Sequence, residues 1–160
     1  MPTAQDFAPA EVRPGDRLRP YDPEPSGDSP TREIRPPLRG TEVVLVVDDE
    51  RGVRALSGHI LRTYGYTVLE ARGAEAAVRR ASEYPGPIHL LLTDVSLSGE
   101  CGRALATALT VMQPGLRVLF MSGLSDVAVA PAAQEPGNFL AKPFTVFGLA
   151  AKVRRVLDAA

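Results

Sequence analysis

Residues 43–49 read VVLVVDD, an unbroken apolar run that ends in two adjacent aspartates. An apolar run of this length is typical of a strand that is buried on both faces, as in a parallel sheet. A second run, IHLLLTD at residues 88–94, has the same form and ends in Asp94. The two runs therefore predict a parallel sheet that carries carboxylates at the carboxyl ends of its strands.

Three carboxylates at one sheet edge constrain the chemistry of that edge. In open parallel sheets, ligands bind at the carboxyl ends of the strands, and Asp48, Asp49 and Asp94 all fall there. Carboxylates at short range repel each other unless a cation lies among them. Because oxygen ligands suit a hard cation such as Mg²⁺, the sequence predicts a magnesium site at this edge.

Two further apolar runs bring a hydroxyl and an ammonium group to the same edge. Residues 117–121 read RVLFM and are followed by Ser122, and residues 139–141 read FLA and are followed by Lys142. Together with the carboxylates, these groups can hold Mg²⁺, place a phosphoryl group on one carboxylate and neutralise its charge.

From residue 41 onward, strand-like and helix-like segments alternate, which predicts right-handed βαβ units around a parallel sheet. Helices are predicted near residues 53–64, 74–84, 103–112 and 125–130, with a last helix that begins at Thr145 as its N-cap. Helical spacing predicts three groups of core-facing side chains: Val53, Leu56, Ile60, Leu61 and Tyr64; Leu105, Leu109 and Met112; and Val146, Leu149, Ala150, Val153 and Val156 or Leu157.

The first 40 residues differ in composition from the rest of the chain. They hold nine of the fifteen prolines and few large apolar residues. Proline lacks an N–H donor and fixes φ, so this segment opposes both helix and sheet. We expect residues 1–40 to form a disordered tail or linker and residues 41–160 to form one domain.

Charge and composition exclude several classes of protein. The formal net charge is −1, so no basic surface points to nucleic acid or to a membrane. One cysteine, Cys101, allows neither an intramolecular disulfide nor a cysteine metal site. No signal peptide and no apolar stretch long enough to cross a bilayer is visible, so the expected location is the cytoplasm.

Four short motifs resemble those of the receiver domain of two-component response regulators. They are VDDE at residues 47–50, TDV at 93–95, MSG at 121–123 and KPF at 142–144, in the family's order and near its spacing. The resemblance covers about residues 41–160. It implies a doubly wound, five-stranded parallel sheet of the flavodoxin-like order 2-1-3-4-5.

The resemblance also implies a role for each residue of the site. Asp94 matches the phosphoryl acceptor, and a carboxylate can act as the nucleophile in such a transfer. Asp48 and Asp49 match the residues that hold Mg²⁺, with Asp94 and the backbone carbonyl of Ser96 as further ligands. Lys142 matches the cation that pairs with the phosphoryl oxygens, and its bond to the following proline is usually cis in the family.

Two further positions match the residues that transmit the signal in this family. Ser122 would hydrogen-bond a phosphoryl oxygen, and Phe139 would be the aromatic residue that moves inward with it. The phosphoryl donor would be a histidine kinase or a histidine phosphotransfer protein, and the downstream protein is not named by the sequence. The domain would be a signalling phosphoacceptor, with self-phosphorylation and self-dephosphorylation as its only chemistry.

The chain departs from the family's pattern in two places. Leu97-Ser98-Gly99 stands where Met-Pro-Gly is usual, and Pro131 interrupts the region of the fourth helix. Because proline inside a helix costs ~3 kcal/mol, we expect the helix predicted at 125–130 to be short, frayed or absent. The surface used by relatives for signalling and weak homodimerisation is therefore in question.

Three other interpretations stay open or are disfavoured. The chain could be a receiver from the end of a hybrid histidine kinase rather than a free regulator, with residues 1–40 as the remnant of a linker. It could also be an interaction module that works without phosphorylation, although neither the acceptor nor the lysine is lost. A hydrolase that uses an aspartyl phosphate is disfavoured, since Ser96 stands where a second aspartate would serve as acid and base.

Overall fold

The computed structural model describes residues 38–97, 100–123 and 138–159. Along the chain these residues form β1 (Val43–Val47), α1 (Arg51–Thr63), β2 (Thr67–Ala71), α2 (Ala74–Glu83), β3 (Leu90–Asp94), β4 (Ser96–Leu97), β5 (Glu100–Cys101), α3 (Gly102–Met112), β6 (Arg117–Ser122), β7 (Phe139–Ala141) and α4 (Val146–Asp158). The segments predicted as strands and helices are thus found where described, but the predictions for 1–37, 98–99 and the helix at 125–130 lie outside the described residues.

The main sheet has five parallel strands in the order β2-β1-β3-β6-β7. This is the expected flavodoxin-like order, because β4 and β5 form a separate antiparallel pair directly after β3. The sequence analysis did not predict that small hairpin. The central strands β1 and β3 are buried along their whole length, as their unbroken apolar sequences require.

The two faces of the sheet bury two separate apolar clusters. Alternate residues of β1 point to opposite faces, so Val43, Leu45 and Val47 join one cluster while Val44 and Val46 join the other. α2 and α3 cover the first face, and α1 and α4 cover the second. Helices on both faces leave the strand ends as the accessible edge of the sheet.

Three side chains that were predicted to face the core are instead exposed. Leu56 is 50% exposed, Met112 45% and Val146 53%. Leu56 is displaced by ~100° around α1 from the buried Ser57, which takes it off the packed face. Met112 and Val146 are terminal residues of their helices, where less structure packs against them. The other core predictions in these helices hold for Ile60, Leu61, Leu105, Leu109, Leu149, Ala150, Val153, Val156 and Leu157.

The start of α4 follows the prediction. The hydroxyl of Thr145 accepts a hydrogen bond from the backbone N–H of Gly148 at 3.0 Å, as an N-cap does. This cap begins the helix four residues after β7 and so fixes the loop that carries Lys142. Among the described residues, no helix is long and apolar enough to span a membrane.

Candidate functional site

Acidic side chains from two strands converge at the carboxyl edge of the sheet. Asp48 directly follows β1 and is fully buried, whereas Asp94 is the last residue of β3 and is 8% exposed. One carboxylate oxygen from each of Asp48, Asp49 and Asp94 lies within 4.8 Å of the other two. The predicted convergence of these three residues is therefore present.

Lys142 bridges the two buried carboxylates. Its Nζ donates to Oδ2 of Asp48 at 2.8 Å and to Oδ2 of Asp94 at 2.5 Å. The lysine follows β7, the edge strand, and the peptide bond between Lys142 and Pro143 is cis, as the resemblance implied. One ammonium group thus pairs with two carboxylates, one directly after β1 and the other at the end of β3.

The second oxygen of each buried carboxylate binds to the backbone. Oδ1 of Asp48 accepts a hydrogen bond from the N–H of Glu50 at 2.8 Å, and Oδ1 of Asp94 accepts one from the N–H of Ser96 at 3.0 Å. Each carboxylate is therefore held at both oxygens, with Oδ2 towards the lysine and Oδ1 towards the loop that follows its strand. This arrangement orients both groups before any ligand binds.

Burial and charge shift the proton affinities of this group. Burial raises the pKa of Asp48, and the hydrogen bond from Lys142 offsets only part of that effect. Burial lowers the pKa of Lys142, but the hydrogen bonds to Asp48 and Asp94 outweigh it and leave that pKa raised. The raised pKa of Lys142 keeps the lysine charged, and burial makes the ionised form of Asp48 less favourable.

Backbone and side-chain contacts hold the end of β3, which carries Asp94, in its surroundings. The N–H of Val95 donates to the carbonyl of Met121 at 2.9 Å, and the Thr93 hydroxyl donates to the carbonyl of Asp94 at 3.1 Å. A Cβ added to Gly102 would lie 1.9 Å from the carbonyl oxygen of Asp94, so only glycine fits there. Thr93 was part of the TDV motif in the sequence, but its hydrogen bond to Asp94 was not predicted.

Ser122 and Phe139 lie at the end of β6 and at the start of β7. Ser122 ends β6, is 4% exposed, and its carbonyl accepts a hydrogen bond from the N–H of Lys142 at 2.8 Å. Phe139 begins β7, and its ring stacks on Phe120 with the centroids 5.3 Å apart. The guanidinium of Arg103 lies 5.5 Å from both ring centroids. The sequence did not reveal this three-residue contact, because it joins α3, β6 and β7.

The residues at this edge fit a magnesium ion. Three carboxylates of which two are buried, with oxygens close enough to share one ion, offer the hard oxygen ligands that Mg²⁺ takes together with water. Ser96 follows Asp94 by two residues, at an exposed position in β4. Asp48, Asp49 and Asp94 are the residues that would hold the ion.

Comparisons with known proteins agree on one family. The model of the response regulator receiver domain matches residues 44–154. The chain is 34% identical over 124 residues to the sensor kinase CckA of Brucella abortus, a match that covers 76% of this chain but 13% of that protein. It is 30% identical to the response regulator receiver protein CpdR of the same organism, covering 73% of this chain and 98% of CpdR.

Comparison with solved structures identifies receiver domains as well. The receiver domain of the hybrid histidine kinase CckA superposes with a TM-score of 0.61 at 33% identity, covering 72% of this chain and 99% of that domain. The chain therefore corresponds in extent to a whole receiver protein such as CpdR and to a small part of a sensor kinase such as CckA.

Proposed function

The chain belongs to the response regulator receiver domain family, and we propose that Asp94 is its phosphoryl acceptor. A receiver domain is a signalling domain of two-component systems, and its task is to carry a phosphoryl group. The observation that carries the assignment is the placement of Asp94, whose two oxygens meet Lys142 and the N–H of Ser96. Of the two acids that pair with Lys142, Asp94 is 8% exposed, whereas Asp48 is fully buried.

The proposed reaction transfers a phosphoryl group from a phosphohistidine of a histidine kinase or phosphotransfer protein. The bond between nitrogen and phosphorus breaks, and a bond forms between phosphorus and a carboxylate oxygen of Asp94. Such transfers depend mainly on positioning and charge neutralisation rather than on further covalent chemistry. Lys142 is already within hydrogen-bond distance of Asp94, so it can neutralise charge on the incoming oxygens.

A bound Mg²⁺ supplies additional positive charge for the phosphoryl oxygens. Asp48, Asp49 and Asp94 would hold the ion, with the carbonyl of Ser96 as a further ligand. Asp48 suits this role because its carboxylate oxygens are already oriented by the N–H of Glu50 and by the ammonium of Lys142. Binding of a cation there offsets the repulsion among the three carboxylates.

Ser122 and Phe139 are proposed to transmit the phosphorylated state. Ser122 ends the strand that pairs with the strand of Asp94, which supports a role for its hydroxyl in binding a phosphoryl oxygen. A shift of Ser122 would pull on Lys142, whose N–H binds its carbonyl, and hence on the strand that begins with Phe139. The altered surface would then bind an unidentified downstream protein, with a weak homodimer as one such outcome.

Phosphoryl incorporation tests the proposal. The protein is incubated with acetyl phosphate and Mg²⁺, and the intact mass is measured for the wild type, Asp94→Asn and a Lys152→Gln control that changes the chain's other lysine. We expect one phosphoryl adduct in the wild type and in the control, dependent on Mg²⁺, and none in Asp94→Asn. An adduct of equal yield in Asp94→Asn would refute the assignment of the acceptor.

A second candidate, a receiver that works as part of a hybrid histidine kinase, is favoured by the similarity to CckA. The free regulator is favoured by the match to the whole of CpdR. In either case we propose a cytoplasmic receiver over residues 41–160, with residues 1–40 as a tail or linker. Transfer from a separately purified histidine kinase, compared with transfer from a phosphotransfer protein, distinguishes the two contexts.

A further inference from the structure

Arg54 contacts the acidic edge from the first turns of α1. Its Nη1 donates to the backbone carbonyl of Asp48 at 2.7 Å, and its side chain is only 16% exposed. That carbonyl belongs to the peptide that joins Asp48 to Asp49. The hydrogen bond therefore fixes the orientation of the peptide between the two proposed magnesium ligands.

The sheet does not provide this contact itself. The pairing of β1 with β2 and with β3 ends at Val47 in both cases. The carbonyl of the buried Asp48 thus lies just beyond the paired residues, where a donor has to come from elsewhere. Arg54 provides that donor from a helix that begins only three residues after Asp48.

Glu70 on β2 forms an ion pair with the guanidinium of Arg54. Its Oε2 lies 3.9 Å from Nε of Arg54, and its Oε1 accepts a hydrogen bond from Nη2 of Arg62 at 2.8 Å. The buried Gly58 makes room for this carboxylate, because a Cβ at that position would lie 2.6 Å from Oε1 of Glu70. The contacts thus form a chain from Gly58 through Glu70 and Arg54 to the carbonyl of Asp48.

We propose that Arg54, held by Glu70, is a positioning residue for the magnesium site. Its role is to orient the peptide between Asp48 and Asp49 so that both carboxylates are presented to the ion. This inference rests on the proposed function, because it concerns the same Mg²⁺ site.

Two effects of Arg54 on the ion act in opposite directions. Its positive charge close to the site opposes the binding of a cation. Its hydrogen bond orients the ligands and favours binding. Because Glu70 lies beside the guanidinium and offsets part of its charge, we expect the orienting effect to prevail. If removal of Arg54 weakens Mg²⁺ binding, the orienting effect prevails; if removal strengthens binding, charge repulsion prevails.

Calorimetric titration with Mg²⁺ alone, in the absence of a phosphoryl donor, measures the Mg²⁺ affinity of the wild type and of each variant. Arg54→Met removes both the charge and the donor, whereas Arg54→Lys keeps the charge but not the planar guanidinium. Arg51→Met is the matched control, because Arg51 is exposed on the same helix and equally charged. Loss of one charge-assisted hydrogen bond predicts that Arg54→Met binds Mg²⁺ roughly tenfold more weakly. Arg54→Lys should fall between it and the wild type, and Arg51→Met should stay within about twofold.

The amide signal of Asp49 gives a readout that loss of stability alone would not change. In a ¹⁵N–¹H spectrum without Mg²⁺, this signal should shift in Arg54→Met and remain in place in Arg51→Met. Gly58→Ala, which leaves Arg54 intact but displaces the carboxylate of Glu70, should shift the same signal and weaken Mg²⁺ binding severalfold in a folded protein.

Equal or tighter Mg²⁺ binding by folded Arg54→Met would overturn the inference while leaving the proposed function intact. Absence of Mg²⁺ binding by the wild type would instead overturn the proposed function, and the inference with it. Weaker Mg²⁺ binding in Arg54→Met without a shift of the Asp49 amide signal would also refute the positioning role. An unshifted signal would mean that the peptide between Asp48 and Asp49 keeps its orientation without Arg54.

Discussion

Replacement of Lys142 by methionine should destabilise the protein in the absence of Mg²⁺. Lys142 is the ammonium that lies between Asp48 and Asp94, at 2.8 and 2.5 Å from their oxygens. Removal of the lysine leaves these two buried carboxylates facing each other without a cation. Methionine fills a similar volume, so the variant changes the charge far more than the packing.

The expected size of the effect follows from the distances at the site. Oxygens of these carboxylates lie within 4.8 Å of each other, which at an effective dielectric constant of ~20 gives a repulsion of about 3.5 kcal/mol. Removal of one partner from a buried ion pair costs ~3–5 kcal/mol. Because the lysine side chain is 19% exposed, we expect the lower part of that range, about 3 kcal/mol at pH 7.

The substitution Asp48→Asn should not destabilise the protein as Lys142→Met does. Burial raises the pKa of Asp48, so its contribution to stability is present below its unfolded pKa of 3.8 and is lost as the pH rises through its folded pKa. At pH 7 the ionised carboxylate of Asp48 therefore lowers the free energy of unfolding. Asp48→Asn removes one of two carboxylates that share a single lysine, so we expect little loss of stability or a gain.

Urea unfolding at pH 7 and at pH 5, with and without Mg²⁺, measures these effects. The loss in Lys142→Met should be smaller at the lower pH, because burial raises the pKa of Asp48, and should also shrink on addition of Mg²⁺. Lys152→Met, at the chain's only other lysine, is the control for loss of a lysine outside the site. A loss below about 1 kcal/mol in Lys142→Met at pH 7 without Mg²⁺ would contradict the electrostatic account of the site.

One further substitution tests the surroundings of the site, and another tests an ion pair at the opposite edge of the sheet. Gly102→Ala would place a Cβ 1.9 Å from the carbonyl of Asp94, so we expect a loss of ~1–3 kcal/mol in urea unfolding and slower phosphoryl incorporation. Gly52→Ala is its control, since a Cβ there meets nothing within 4 Å, and an effect of equal size in both variants would contradict the clash. The hydrogen bond from Arg154 lowers the pKa of Glu42, so their pairing stabilises the fold above the unfolded pKa of 4.5 and is lost as the pH falls through the folded pKa. Arg154→Gln should therefore cost ~1 kcal/mol at pH 7, and a difference from the wild type that does not shrink on acidification below that range would contradict this account.

The sequence predicted the sheet and its acidic edge because both depend on local pattern. An unbroken run such as 43–47 identifies a strand buried on both faces, and the residue that follows it must lie at the carboxyl edge. Asp48, Asp94 and Lys142 could therefore be assigned to one site before any distance was known. The order of the strands came from the resemblance to receiver domains, and the structure confirms it.

Features that depend on contacts between elements could not be read from the sequence. Leu56 has the spacing of a core residue, yet it is exposed because the helix presents a neighbouring face to the sheet. The role inferred for Arg54 depends on a backbone carbonyl, which has no signature in the sequence. The stack of Phe120 on Phe139 joins two strands whose register only the fold determines.

The central claim is that Asp94 carries the phosphoryl group, and chemical trapping tests it most directly. The wild-type protein is phosphorylated with acetyl phosphate and Mg²⁺, the acyl phosphate is reduced with borohydride to homoserine, and the modified residue is located by peptide mass spectrometry. We predict homoserine at Asp94 alone. Homoserine at Asp48 or Asp49, or at no position in protein that carries the phosphoryl adduct, would contradict the account.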